Sequence, residues 1–334
     1  MSKESPFFSV VIPTYNPKIY IGRLMKSIAT NECIDDVEII VSDDVSSEPF
    51  DDVLEPFSNL NIVRIANKEH TGFPRYGRQH GLEVAKGKWI TFADQDDYFL
   101  ANALDHMKEC IIKENMHNFI VSDFIEESVE TGKRIRRKGR SGWTHGKFYE
   151  KEFMTKYGIS YDYVKYCEDI NLSTKIDCVC IANHVKSHEY PNQVYVWGRR
   201  KDSLSDAEYF KKSMPDYIKA TLGVIINFVE QYITDKDLIG LFNAKFIVTL
   251  LHVYFYYQSK TLSQSRRDMI ISILTVQPIY SKFKWLTGFS NETIFELLNT
   301  DLMWLYNQTR HEDYNQIPFI EQITFKDWMN QYLD

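Results

Sequence analysis

Short apolar runs alternate with helically spaced ones through the first hundred residues. Ser9-Val10-Val11-Ile12-Pro13 is β-branched, stopped by proline, and predicts a buried strand. Ile21, Leu24, Met25 and Ile28 fall at helical spacing within residues 20–30. Residues 37–41 (Val-Glu-Ile-Ile-Val) predict a second buried strand that ends at Ser42-Asp43-Asp44, and residues 60–65 a third. Residues 75–85 predict a helix closed by Gly87, and residues 89–93 a fourth strand that runs into Asp94. Strands alternating with helices predict an α/β fold, a mostly parallel, Rossmann-like sheet with helices on both faces.

Beyond Asp97 the pattern changes. Residues 104–113 read as helix and 119–124 as strand, followed by a basic stretch. From about residue 209 onward the apolar positions keep helical spacing, as at Leu222, Ile225, Ile226 and Val229. We therefore divide the chain at Asp206, into residues 1–206 and an all-helical C-terminal region, residues 207–334. The apolar faces of that region must be buried somewhere. Self-association is the expected use, so a homo-oligomer is expected, with acceptor docking as the other use.

Composition narrows the class. A 334-residue chain with 44% hydrophobic and 25% charged residues is ordinary for a globular protein, and its net charge of −7 argues against nucleic acid as partner. Its 14% aromatic share suits sugar stacking as well as a large core. Five scattered cysteines without zinc or CxxC spacing point to reduced thiols in the cytoplasm. No signal-peptide pattern is expected at residues 1–6. The longest apolar stretch, residues 238–257, contains Asn243, Lys245 and His252, which favours a buried helix over a membrane span. Contact with the inner face of the membrane would then be peripheral.

The chemistry-bearing residues gather at strand ends, where α/β sheets bind ligands. Three polar clusters lie there: Pro13-Thr14-Tyr15-Asn16, Ser42-Asp43-Asp44 and Asp94-Gln95-Asp96-Asp97. Two Asp one residue apart are suited to holding a divalent cation against a diphosphate. An Asp-rich turn alone would look the same, so the weight comes from the convergence. Further along, Glu168-Asp169 opens a helical pattern. Acidic residues favour a helix start through the macrodipole, and a carboxylate there could also serve as a general base.

These blocks resemble glycosyltransferase family 2, the inverting transferases with a GT-A fold. The resemblance rests on residues 9–16, 39–46, Arg78-Gln79-His80-Gly81 and residues 87–97, in order and rough spacing. It implies that Pro13 and Tyr15 meet the nucleotide and that Asp44 accepts a hydrogen bond from uracil. Arg78 would steady the nucleotide or its phosphates. Gln79 departs from the Asn usual there. The resemblance further implies Asp96 as the main metal ligand, Asp94 near ribose or metal, and Asp97 facing the sugar or capping a turn. The cation would be Mn2+ or Mg2+. It gives Asp169 the role of base, and Glu168 an orienting or acceptor contact.

Residues 194–205 resemble the family's closing segment. There Arg199, Arg200, Ser203 and Ser205 would meet the diphosphate, with the choice between the two arginines left open. Lys133 to Arg140 carries six basic residues in eight, read as a hairpin tip or as a dock for a polyanionic acceptor. Trp143 is a candidate acceptor wall, and His145 a weaker candidate metal ligand. The plan of the whole chain, with a module after the transferase domain, resembles family members that decorate wall teichoic acid.

The expected activity is transfer of a hexosyl or N-acetylhexosaminyl group from a UDP-sugar to a glycan, a teichoic-type polymer or a lipid-linked acceptor. Two other readings compete. A nucleotidyltransferase would want a glycine-rich first loop, which residues 13–17 lack. A non-catalytic binding module would have no need of Asp44, Asp96 and Asp169 together.

Overall fold

The structure, a computed structural model, describes residues 5–139, 143–161 and 168–200. The chain divides into two compact units, and the first, Met1–Cys180 with His184–Asp206, holds the elements that build the site. The expected helical region at residues 207–334 lies outside the described residues.

The chain runs β1 (Phe8–Thr14), α1 (Ile21–Ala29), β2 (Val37–Asp43), the single turn α2 (Asp51–Leu54), β3 (Ile62–Ala66), α3 (Pro74–Val84) and β4 (Trp89–Phe92). Then follow β5 (Tyr98–Phe99), α4 (Ala103–Lys113), β6 (Phe119–Ser128), β7 (Arg134–Arg137), β8 (Lys147–Glu150), α5 (Lys151–Lys156), α6 (Glu168–Ala182) and β9 (His188–Arg199). Among the described residues, nine strands join one sheet, ordered β3-β2-β1-β4-β8-β6-β9-β5, with β7 on the side of β6.

The first four strands are mutually parallel, as the βα alternation predicts. Past β4 the sheet turns mixed. β8 runs antiparallel to both β4 and β6, β7 antiparallel to β6, and β5 antiparallel to β9, while β6 and β9 are parallel. The sheet is thus less parallel than expected. For β6–β7 the reason is connection length: a hairpin needs only a tight turn, whereas a parallel pair needs a crossover.

Alternate residues of β1 serve two layers. Phe8, Val10 and Ile12 join a core with Ile21, Leu24, Met25 and Ile28 of α1 and Leu104, Met107 and Ile111 of α4. Val11 points the other way, toward α3. There a Cβ on Gly81 would lie 2.2 Å from Val11 Cγ1. Only a glycine lets α3 approach β1 so closely, which fixes where Arg78, one turn earlier, is carried.

Candidate active site

The turns after β1, β2 and β4 open on a cleft of about 420 Å3, a volume suited to a small-molecule ligand. It is lined by Pro13, Thr14, Tyr15, Ser42, Asp44, Asp94, Gln95 and Asp96 from these turns. His70, Gly72, Phe73, Pro74 and Gly77 come from the loop after β3 and the start of α3, and Trp197, Gly198 and Arg200 from the end of β9. Gln95 stitches two of these turns together. Its Oε1 accepts from the Tyr15 N–H at 2.9 Å, and its Nε2 donates to the Tyr15 carbonyl at 3.0 Å.

At one end of the cleft Asp44 organises the loop 67–72. Its carboxylate accepts from the Asn67 amide, from the Thr71 N–H (3.0 Å) and hydroxyl (2.8 Å), and from the Gly72 N–H (2.7 Å). His70 Nδ1 stands 3.0 Å from Asp44 Oδ2, and the His70 ring stacks on Tyr15 with centroids 4.2 Å apart.

At the other end lie the aspartates. The Arg78 guanidinium is buried and donates to both Asp94 Oδ1 and Glu168 Oε1. Burial works against its charge, but Asp94 and Glu168 outweigh that and hold it firmly protonated. For Asp94, burial opposes ionisation, while Arg78 and His145 hold the carboxyl below its ordinary value. Asp96 goes the other way: burial, then the charge of Asp94, raise it, and Arg200 offsets this only in part. Arg200 Nε donates to Asp96 Oδ2 at 2.7 Å. Arg23 of α1 donates to the Asp96 carbonyl at 2.9 Å.

Asp94 and Asp96 fit a hard divalent cation. Both are oxygen donors on the cleft wall, and a cation would relieve the repulsion that, after burial, helps to raise the Asp96 carboxyl. Asp94, Asp97 and His145 also bring ligand atoms within 4.8 Å of one another. There, however, Asp97 already accepts from the Tyr195 hydroxyl (2.7 Å) and the Gly198 N–H (2.8 Å). The His145 ring stacks on both Tyr195 and Trp197. Burial lowers the His145 imidazole to about 4, so it is neutral at pH 7.

Glu168 and Asp169 form the first turn of α6, as expected. Glu168 is buried against Arg78, and so does more than cap a helix. The charge of Asp169 also reaches this cluster. Burial pushes the Tyr149 and Tyr161 phenols up, and Asp169 adds to the rise.

The other expected residues take the following places. Arg78 is buried beside the cleft and is not among its lining residues; its terminal nitrogens donate to two carboxylates. Asp97 is buried and ties the β4 turn to β9, and burial with the charges of Asp94 and Asp96 raises its carboxyl strongly. Of the two arginines, Arg200 lines the cleft, while Arg199 donates to Glu126 at 3.0 Å. Trp143 does not line the cleft; it packs on Phe124 and on Trp197, which does. The basic run forms a hairpin strand over Arg134–Arg137, as its first reading expected, and four of its charges are paired. Arg134 meets Glu127, Arg136 and Lys138 meet Asp123, and Arg137 meets Glu126. Ser203 and Ser205 lie outside the described residues.

Sequence reasoning passed over His70 and Arg23, and gave no role of their own to Gln95 and Trp197 within the segments it singled out. The strand-end argument could have found His70, since the loop after β3 opens on the same edge of the sheet.

The Glycosyl transferase family 2 model matches residues 9–167. The GalNAc(5)-diNAcBac-PP-undecaprenol beta-1,3-glucosyltransferase of Campylobacter jejuni is 32% identical over 136 residues, 40% of this chain and 43% of that one. The poly(ribitol-phosphate) beta-N-acetylglucosaminyltransferase TarS of Staphylococcus aureus is 30% identical over 137 residues, 40% of this chain and 22% of that one. The match thus spans less than half the length of these relatives. Among solved structures, S. aureus TarS 1-349 gives a TM-score of 0.65 at 16% identity, covering 95% of this chain and 98% of that one. Its complex with UDP-GlcNAc gives 0.54 at 18% identity, covering 83% and 92%. At such identities the likeness is one of fold. Residues 9–167 thus match the glycosyltransferase family 2 model, and the chain shares a GT-A-like fold with TarS.

Proposed function

We propose that the chain is an inverting, metal-assisted glycosyltransferase that moves a sugar from a UDP-sugar to a hydroxyl of a glycan, teichoic-type or lipid-linked acceptor. One observation carries the reading. Buried Arg78 bridges Asp94 of the β4 turn to Glu168 of α6, so the donor-side and acceptor-side carboxylates share one charge cluster beside the cleft. The relatives add support: one is named for a polymer acceptor, poly(ribitol phosphate), and another for an undecaprenol-linked one.

In this reading Pro13, Tyr15 and Asp44 take the nucleoside end, and Arg200 takes the diphosphate. Asp94 and Asp96 would hold Mn2+ or Mg2+, which when bound offsets charge on the departing diphosphate. Asp169 removes the acceptor hydroxyl's proton as that oxygen attacks the anomeric carbon. The bond from that carbon to the diphosphate oxygen breaks, and the electron pair leaves with UDP. Attack opposite the leaving group inverts the anomeric centre. Glu168, held by Arg78, keeps the first turn of α6 in place beside the base.

We place the protein in the cytoplasm, able to work at the inner face of the membrane, and assemble it as a homo-oligomer through residues 207–334. Among the described residues no helix is long and apolar enough to cross a membrane. The test is a panel of sugar nucleotides, with Mn2+ or Mg2+ and then with chelator, read by nucleotide release. UDP release from at least one UDP-sugar, abolished by chelator, is expected. A protein that binds and turns over no sugar nucleotide would sink the proposal.

A further inference from the structure

We propose that His70 sits in the seat of the donor's nucleobase and leaves it when the nucleotide binds, which makes it an affinity-determining residue of the cleft. This rests on the nucleotide-sugar reading above.

A uracil-like base asks two things of its site: a ring to stack on and an acceptor for its ring N–H. His70 already uses both. Its imidazole stacks on Tyr15, with ring centroids 4.2 Å apart and planes 30° from parallel. Its Nδ1 lies 2.9 Å from the Asp44 carbonyl and 3.0 Å from Asp44 Oδ2. Both neighbours are acceptors only, so Nδ1 carries a proton and donates. The protein's own side chain thus presents a flat ring with an N–H to the two groups that would receive the base.

The Asp44 carboxylate has no room for an added donor. Asn67, the Thr71 N–H and hydroxyl, the Gly72 N–H and His70 already converge on it. A carboxylate offers about four lone-pair directions. A base can bond to Asp44 only by replacing one of these donors. Asn67 is buried, and Thr71 and Gly72 are bonded through the loop backbone itself. His70 is held by a rotatable side chain that is 46% exposed, and it lines the cleft. It is therefore the donor that gives way, and a base with a ring N–H replaces it in kind. Cytosine, with an acceptor at the matching position, would set a lone pair against the carboxylate.

Isothermal titration of UDP and CDP into the full chain with Mg2+, comparing wild type and His70→Ala, tests this. Removing the competing hydrogen bond should tighten UDP binding about 3- to 10-fold, with UDP still preferred over CDP. Equal or weaker UDP binding by His70→Ala would mean that the ring is a fixed stacking platform, and would overturn the proposal. If UDP and UDP-sugars bind neither protein, the nucleotide-sugar reading fails and takes this proposal with it. A crystal structure of the wild type with UDP gives a readout that needs no variant. The His70 ring should have left Tyr15, and a ring still stacked there would equally overturn the proposal.

Discussion

Arg78 shows what a single side chain decides here. It is buried between two carboxylates from elements far apart in sequence, Asp94 and Glu168. Arg78→Met would leave both acids without their shared counter-charge. The loss should be about 3 kcal/mol, at the lower end for a broken buried pair because Asp94 is partly exposed. Urea unfolding followed by circular dichroism measures it; an unchanged midpoint would mean that the bridge contributes nothing. Asp169 makes the complementary case. Asp169→Asn removes a base and keeps the shape, so turnover should fall by about 100-fold or more. UDP-sugar affinity should stay within about threefold of wild type. Loss of donor binding along with turnover would place Asp169 on the donor side and end its assignment as base. Turnover and titration on the same preparation separate the two outcomes.

At the scale of elements, the contact of α3 with β1 and the β6–β7 hairpin carry the testable energetics. Gly81→Ala puts a methyl group into Val11, so overpacking should cost about 1–3 kcal/mol. The cost should appear as a lower melting temperature, together with weaker donor binding, because α3 also brings Gly77 to the cleft wall. The hairpin depends on pH. Burial alone would raise Asp123, Glu126 and Glu127, but their arginine partners outweigh it and hold all three below the ordinary carboxylate range. Depressed folded-state values contribute stability that is present above the unfolded pKa and lost as pH falls through the folded one. Melting temperature should therefore drop as pH falls below about 4.5, the ordinary glutamate value. Glu126→Gln, which removes the partner of Arg137 and Arg199, should flatten part of that drop. An acid limb identical to wild type would show the ladder to be idle. These two elements also mark what the sequence discloses. The strand ends with Asp44 and Asp94 are legible because apolar runs and helical spacing are local patterns. The fate of the basic run is not, because its neutralising acids sit on a neighbouring strand and pairing register is invisible in a linear chain. The surroundings of Arg78 and Asp97 are hidden for the same reason. Their partners, Glu168, Tyr195 and Gly198, reach them only through the folded sheet.

For the whole molecule the open question is how far the donor site depends on the rest of the chain. The cleft, among the described residues, draws its walls from positions 13 to 200. All of these fall in the unit Met1–Cys180 with His184–Asp206. That unit has its own core, in which strands of the sheet pack against α1 and α4, and about 200 residues are enough to bury one. We therefore expect a chain ended after Asp206 to fold alone and to bind UDP, with Mg2+, within about threefold of the full chain; the factor allowed is less than 1 kcal/mol. If residues 207–334 serve self-association, the two chains should differ in mass and not in donor affinity. Sedimentation should then find the shortened chain as a monomer and the full chain as a multiple of 39.4 kDa. A full chain that sediments as a monomer would remove the self-association reading and leave acceptor docking as the use of that region. A shortened chain that folds but no longer binds UDP would instead mean that residues beyond Asp206 help to hold the donor. Ser203 and Ser205 would be kept in both chains, so such a loss could not be charged to them.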